Sequence, residues 1–413
     1  MSEPVAPGSA PEPAEAAPPD TVAARFDLYQ RAGGLAVPFV TAVIAFLIGG
    51  VIVAATGHNP ITAYWDIFKG AGLNWFGHLT TNTANTSAYN FSQTLLATTT
   101  LILTGLAVAF AFRCGLFNIG GQGQYLVGLI VANWIGVSWL NLARPAHVLI
   151  GVALATLAGA AWAGIAGFLK ATTGAHEVIS TIMLNWIAIY LGAWAFGQGG
   201  PLQGPQPSSP ISASIDPSAR IPYFWGDSTL GGLHYGFFVA IGALVVFWAL
   251  LNRTTLGYEV RAVGFNPDAA AYGGISVRKN YIRAMAISGA FAGLAGGMDM
   301  LSQYAPIGFG TLDVYGSTIG FLGIAVALLG RNTAVGVGLA ALLFGALLYG
   351  TTHGLTSNVI QPQLTSNLTS IIQGLVVLFV GADVLILAVW NARRKVRLRE
   401  GTATAESTPE SAS

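Results

Sequence analysis

Charge is what this chain has least of: 8% of its 413 residues are Asp, Glu, Lys or Arg, against roughly 25% in an average soluble domain. That scarcity excludes a water-soluble globular domain. Cysteine is nearly absent, Cys114 standing alone, so no intramolecular disulfide and no paired-thiol redox or metal site can form. The six histidines are scattered singly, and neither a His-Glu-x-x-His pair nor a Gly-x-x-x-x-Gly-Lys-Ser/Thr phosphate loop occurs. A membrane enzyme is therefore a poor reading. If nucleotide drives this protein, its hydrolysis belongs to another polypeptide. A net charge of +1 gives no hold for nucleic acid.

What fills the sequence is apolar: 53% hydrophobic residues and 53 glycines, the latter suited to helices that approach closely in lipid. The chain reads as all-α, a polytopic integral membrane protein. Residues 1–30, rich in Pro, Ala and Glu, are expected to be a disordered tail, residues 31–399 a transmembrane domain, and residues 400–413 a second disordered tail. An acidic start and a first apolar run near Ala36 favour a retained anchor over a cleaved leader. A span needs about 20 apolar residues, which gives ten candidates: 36–55, 93–112, 124–140, 147–168, 178–196, 234–251, 284–302, 315–330, 334–350 and 370–390. Placing both termini in the cytoplasm puts Arg25, Arg31, Arg113, Lys170, Arg331, the basic residues of 253–283 and those of 393–399 on the inner side, and leaves only Lys69, Arg144 and Arg220 outside. Lys and Arg in short loops set orientation, so the bias favours this topology. The outer loops are then 56–92, with a surface helix around Tyr64–Phe76, and 197–233.

Two patterns bear on packing. Gly105 to Arg113 and Gly323 to Arg331 share a Gly-x-Ala-Val-Ala start and the same spacing to an inner-face arginine, which suggests two pseudo-equivalent halves of the kind seen in duplicated transporter folds. Gly289, Gly293 and Gly297 recur at four-residue intervals and form a smooth groove for a neighbouring helix.

The longest charged interval, 252–283, contains a helix in miniature. Asn266 is a suitable N-cap, Pro267 fits the first helical position, Asp268 favours the positive end of the dipole, and Gly273 or Gly274 supplies the stop after Ala269, Ala270, Ala271 and Tyr272. Six helical residues make a rod about 9 Å long, unstable alone in water. Something must pack on it, and the interval is read as a docking element for a cytoplasmic partner; replacing Ala270 by Asp is expected to release that partner.

The stretch Gly115–Tyr125 interrupts apolar sequence with glycines, Asn118, Gln122 and Gln124. Backbone of this kind cannot face lipid unpaired. It either lines a translocation path or forms a turn whose polar residues cap the next helix. In His176–Trp186, Glu177 suits a helix N-terminus, whereas Asn185, Trp186 and Tyr190 either bind neighbouring helices or touch cargo. Asp299 and Asp383 are the carboxylates that a proton-coupled transporter would use.

Three segments, in this order, resemble one family: Gly115-Leu-Phe-Asn-Ile-Gly-Gly-Gln-Gly-Gln124, Glu177-Val-Ile-Ser-Thr-Ile-Met-Leu-Asn185, and Arg261-Ala-Val-Gly-Phe-Asn-Pro-Asp-Ala-Ala-Ala-Tyr-Gly-Gly-Ile-Ser-Val277, with Gly323–Arg331 as a fourth. From about residue 90 to 390 the chain is similar to permease subunits of ATP-binding-cassette importers of the nucleoside and simple-sugar class. The Phe-Asn-Ile-Gly form looks like the nucleoside branch. The resemblance implies a subunit of the cell inner membrane that pairs with a second permease, cytoplasmic ATPase subunits and an extracytoplasmic solute-binding protein, with ATP bound on the partner and no cofactor here. It also implies that Arg261 and Asn266 to Gly274 form the coupling helix region. Branched-chain amino acid or ribose permeases, a proton-coupled secondary transporter and a non-transporting membrane scaffold are the alternatives.

Overall fold

A computed structural model describes residues 36–55, 57–75, 82–138, 142–225 and 232–355, together with positions 370, 371, 374, 375 and 378. Both expected tails, Asp383 and all but those few positions of the tenth span lie outside the described residues. Within them the chain is helical, apart from a small antiparallel pair, β1 (Tyr223–Trp225) with β2 (Leu233–His234).

The helices are α1 (Ala36–Ala55), α2 (Pro60–Gly70), α3 (Asn82–Arg113), α4 (Gly121–Ser138), α5 (Arg144–Thr173), α6 (Glu177–Phe196), α7 (Gly236–Arg253), α8 (Thr255–Phe265), α9 (Pro267–Tyr272), α10 (Val277–Met300), α11 (Thr311–Gly316), α12 (Ile319–Leu329) and α13 (Ala334–Gly354). Nine of the ten expected spans thus coincide with helices, but they are not ten equal rods. Among the described residues, six segments are long and apolar enough to cross a membrane, α11 and α12 together making one of them, and the bent pair of α1 and α2 adds a seventh. The expected surface helix is real but starts earlier, because Asn59 caps it by accepting from the Ile61 amide and Pro60 fills its first position.

The central pillar is α3: 89% of its most apolar window is buried, against 22% for α5 and 28% for α6 and α7, which form the periphery. Helices α4 and α10 are less apolar than these six segments for a physical reason. They are enclosed by other helices, so glycine and hydrogen-bonded polar groups can replace the bulky residues that lipid contact demands.

The glycine groove of α10 is filled from two sides. A methyl on Gly293 would stand 2.5 Å from the Ala155 carbonyl oxygen and 2.8 Å from Cα of Gly159, both on α5. On the other flank, a methyl on Gly128 of α4 would meet the Gly293 carbonyl oxygen at 2.5 Å. The repeat glycines also fall at one contact. Gly323 abuts Thr104, Gly105 abuts Val326, and the Arg113 guanidinium donates to the Asn332 carbonyl oxygen at 3.1 and 2.8 Å. These three contacts, in the same order along both helices, run α12 parallel to α3. After α3 the chain reverses at Gly115 (φ 75°), and after α12 at Arg331 and Asn332 (φ 51° and 53°), two non-glycine residues in the left-handed region that the bonds from Arg113 help to hold.

Cys114 lies at the base of this turn, 1% exposed, and burial pushes its thiol up to about 12. A neutral, enclosed thiol is a poor nucleophile. N-ethylmaleimide at pH 7.5 is expected to leave Cys114 unmodified in the folded protein and to modify it after denaturation, as read by mass spectrometry; modification of the native protein would contradict the packing described.

Candidate functional site

Two constructions stand out, one exposed and one buried. The exposed one is α9. Asn266 accepts from the amides of Asp268 and Ala269, each at 3.0 Å, Pro267 occupies the first position, and Asp268 lies in the first turn. Gly273 donates back to the Ala269 carbonyl, and Gly274 takes φ 82° to end the helix. The local sequence therefore dictates the rod. Tyr272 projects from it 98% exposed, beside exposed Asp268, Ala269 and Ala271. Ala270 is the inward residue, 6% exposed. This corrects the choice of Ala270 as a probe of docking: an Asp there would first disturb the helix's own seat.

That seat is α8, which the sequence reading left as part of a loop. Its signal was present, since Thr254 caps it by accepting from the Gly257 amide. Val260 and Val263 of α8 are fully buried. Glu259 accepts from the Asn280 side chain at 3.0 Å and lies 3.7 Å from Arg283. The Arg261 guanidinium turns back to the Gly257 carbonyl at 3.2 Å. At its far end α8 touches the glycine-rich turn directly, a methyl on Gly115 lying 3.4 Å from Cα of Gly264. The exposed rod and the buried turn are thereby in mechanical contact.

The buried construction is that turn. Helix α10 serves as its ruler, rising 1.5 Å per residue. Cys114 Sγ lies 3.8 Å from the Asn280 carbonyl oxygen, whereas the Asn118 amide donates to Ser288 Oγ at 2.7 Å. Between 114 and 118 the side-chain contacts move from Asn280 to Ser288, about 12 Å along α10, back into the bundle. Consequently α4 begins in the interior.

Its polar side chains pay for that position with hydrogen bonds. Asn118 and Gln124 exchange a reciprocal amide pair at 2.9 Å in each direction, and Asn118 Oδ1 accepts from the Gly120 amide at 2.8 Å. Asn185, on the inner face of α6, accepts from the Gly123 amide at 2.8 Å and donates to the Ile119 carbonyl at 2.9 Å. Gln122 accepts from the Gly320 amide of α12 at 2.9 Å. The structure thus joins Asn118, Gln122, Gln124 and Asn185 in one buried cluster. It places Trp186 and Tyr190 elsewhere, their rings 6.2 Å apart on the outer face of α6 with Met183 and Trp194. Glu177 opens α6 as expected and pairs with Lys170 of α5 at 2.9 Å.

Sequence reasoning missed a second buried cluster nearby, because its members are far apart in the chain. Asp299 accepts from Thr100 Oγ1 at 2.7 Å and from the Tyr125 hydroxyl at 2.8 Å, tying α10 to α3 and α4. It also missed the break at Ser317 and Thr318 that separates α11 from α12, for which the Gly-Ser-Thr interruption of an apolar run was the available signal. Among the described residues no group of His, Cys, Asp and Glu could hold a metal ion.

A multi-pass helical bundle enclosing a glycine-rich turn defines a polytopic membrane protein. The chain belongs to the branched-chain amino acid transport system / permease component family, whose model matches residues 90–381. It is 38% identical over 370 residues to the guanosine ABC transporter permease protein NupP of Bacillus subtilis, covering 89% of this chain and 99% of the relative. It is 34% identical over 374 residues to the nucleoside ABC transporter permease protein NupB of Lactococcus lactis, covering 89% and 96%. A glucose ABC transporter permease protein of Haloferax volcanii is 33% identical, covering 83% and 86%. The first two organisms each contain a second matching permease, NupQ and NupC respectively. No solved structure matches the chain.

Proposed function

We propose that this chain is the translocating subunit of an ATP-driven importer of nucleosides or simple sugars, paired with a second permease in the cell inner membrane with both termini in the cytoplasm. ATP is bound and hydrolysed on separate ATPase subunits, and an extracytoplasmic binding protein delivers the solute. The observation that carries this reading is α9: a fully capped helix too short to stand alone, presenting an almost completely exposed tyrosine on a chain whose relatives are named ABC permeases. Residues Arg261 and Asn266 to Gly274 form the coupling region against which the ATPase closes. Motion of α9 and α8 reaches the Asn118, Gln122, Gln124 and Asn185 cluster through the contact of Gly264 with Gly115. Such a two-state bundle is shifted only by ligands with different affinities for its two states: the loaded binding protein from outside, ATP from inside. Trp186 and Tyr190 are assigned to the translocation path on the outward face of α6, a face that also suits lipid or the second permease.

The test is uptake of tritiated uridine, guanosine and glucose by proteoliposomes containing both permeases, the ATPase and the binding protein. Uptake is expected to require internal ATP, to survive a protonophore and to vanish with a hydrolysis-deficient ATPase. Uptake by this subunit alone, or collapse with the proton gradient, would instead favour a secondary transporter using Asp299.

A further inference from the structure

Among the described residues, two helices that meet at a junction each have the N-terminus capped by a carboxamide from a different helix: α4 starts buried, and α12 starts with Thr318 exposed and Gly320 buried against α4. Asn185 of α6 caps α4 through the Gly123 amide, and Gln122 of α4 caps α12 through the Gly320 amide. In-chain capping is missing at α12, where Thr318 makes no side-chain cap bond. Helix N-termini carry unsatisfied N–H groups and a partial positive charge, so the α4–α12 junction favours oxygen acceptors.

One group there is unused. Gln122 is wholly buried, its Oε1 is taken by Gly320, and its Nε2 has no hydrogen-bond partner. A buried, unpaired amide donor costs about 1–3 kcal/mol, and this one sits on the same carboxamide that touches the N-terminus of α12. The junction is shut in this conformation, because a methyl on Gly320 would overlap the backbone nitrogen and Cα of Gln122. Parting α4 from α12 would release three groups together: Gln122 Nε2 as donor, Gln122 Oε1 as acceptor and the Gly320 N–H as donor. The groups that meet at the junction, the Gln122 carboxamide and the Gly320 N–H, are uncharged, which suits a neutral ligand.

We propose that the α4–α12 junction is a solute site that opens during transport, and that Gln122 and the Gly320 N–H bind a neutral, hydroxyl-bearing part of the solute, such as a sugar diol. A hydroxyl both donates and accepts, so adjacent hydroxyls satisfy all three released groups. The closed junction is then the empty state, in which the side chain of Gln122 takes the place of the solute at Gly320. This site rests on the reading of the chain as an importer permease.

The experiment uses the complete importer in proteoliposomes with tritiated uridine. Gln122→Met keeps the length of the side chain and removes both its polar atoms. It is expected to lower uridine transported per ATP hydrolysed at least about tenfold, while hydrolysis stimulated by the loaded binding protein stays at the wild-type value and the melting temperature falls only by the few degrees that loss of one helix cap costs. A second measurement follows the thiol introduced by Gln122→Cys, with Cys114 enclosed: a small methanethiosulfonate reagent should label it only during ATP turnover, and saturating uridine should slow the labelling. An unchanged transport ratio in Gln122→Met would overturn the site, leaving Nε2 to an ordered water. So would a parallel loss of melting temperature and hydrolysis, which would make Gln122 a cap only, or a thiol that stays unlabelled in turnover. Absence of ATP-dependent uptake by the wild-type importer is a different result and would instead sink the permease reading.

Discussion

Gly293→Leu is expected to leave almost no monodisperse permease after detergent extraction. The residue is wedged between two helices, with the Ala155 carbonyl 2.5 Å and Cα of Gly159 2.8 Å from where its first side-chain carbon would lie, and with Gly128 of α4 pressed onto its own carbonyl. Overpacking a core costs about 1–3 kcal/mol when side chains can give way. Here the obstacles are backbone atoms on both flanks, so the helices themselves must part, and the cost exceeds that range. Gly164→Leu is the matched control, since nothing lies within 4 Å of the corresponding position on α5. Size-exclusion profiles of the two variants should diverge completely. Equal recovery of both would mean that α4, α5 and α10 do not pack as described.

Tyr272→Asp is expected to leave the permease folded and to abolish its function in the complex. At 98% exposure the ring contributes almost nothing to the chain's own packing, and surface substitutions of this kind shift stability by about 0.5 kcal/mol or less. An aromatic anchor at an interface is commonly worth about 2 kcal/mol or more, which corresponds to a loss of about 30-fold in association with the ATPase. Ala270→Asp, two residues earlier and on the opposite side of the rod, should behave in the opposite order: its side chain is enclosed, so the melting temperature falls before any partner is added. Co-purification with the ATPase and thermal melting of the isolated permease distinguish the two. Full ATPase retention by Tyr272→Asp would remove α9 as the docking element.

The contrast between these two neighbours shows where sequence reasoning stopped. The limits of α9 were legible because Asn266, Pro267 and Gly274 act on their own backbone; which side of so short a rod faces outward was not, since it depends on where α8 and α10 lie. The same holds for the polar candidates. Asn118, Gln122, Gln124 and Asn185 were recognisable as costly in an apolar setting, but as many as 62 residues separate Asn185 from the amide it caps and 198 separate Gln122 from Gly320. Trp186, adjacent to Asn185 in sequence, turns to the opposite face.

By itself the sequence determined the all-helical membrane class, nearly all the helical segments, the capped rod and the glycine face of α10. These follow from local chemistry: apolar run length, capping residues and four-residue spacing. The tertiary structure alone decided that α4 begins inside the bundle, that α12 begins against it at Gly320, that α8 links the rod to the glycine-rich turn, and that Asp299 joins Thr100 and Tyr125. Those outcomes depend on which backbones can approach one another and on which distant groups satisfy a buried donor, and neither is encoded within any single segment.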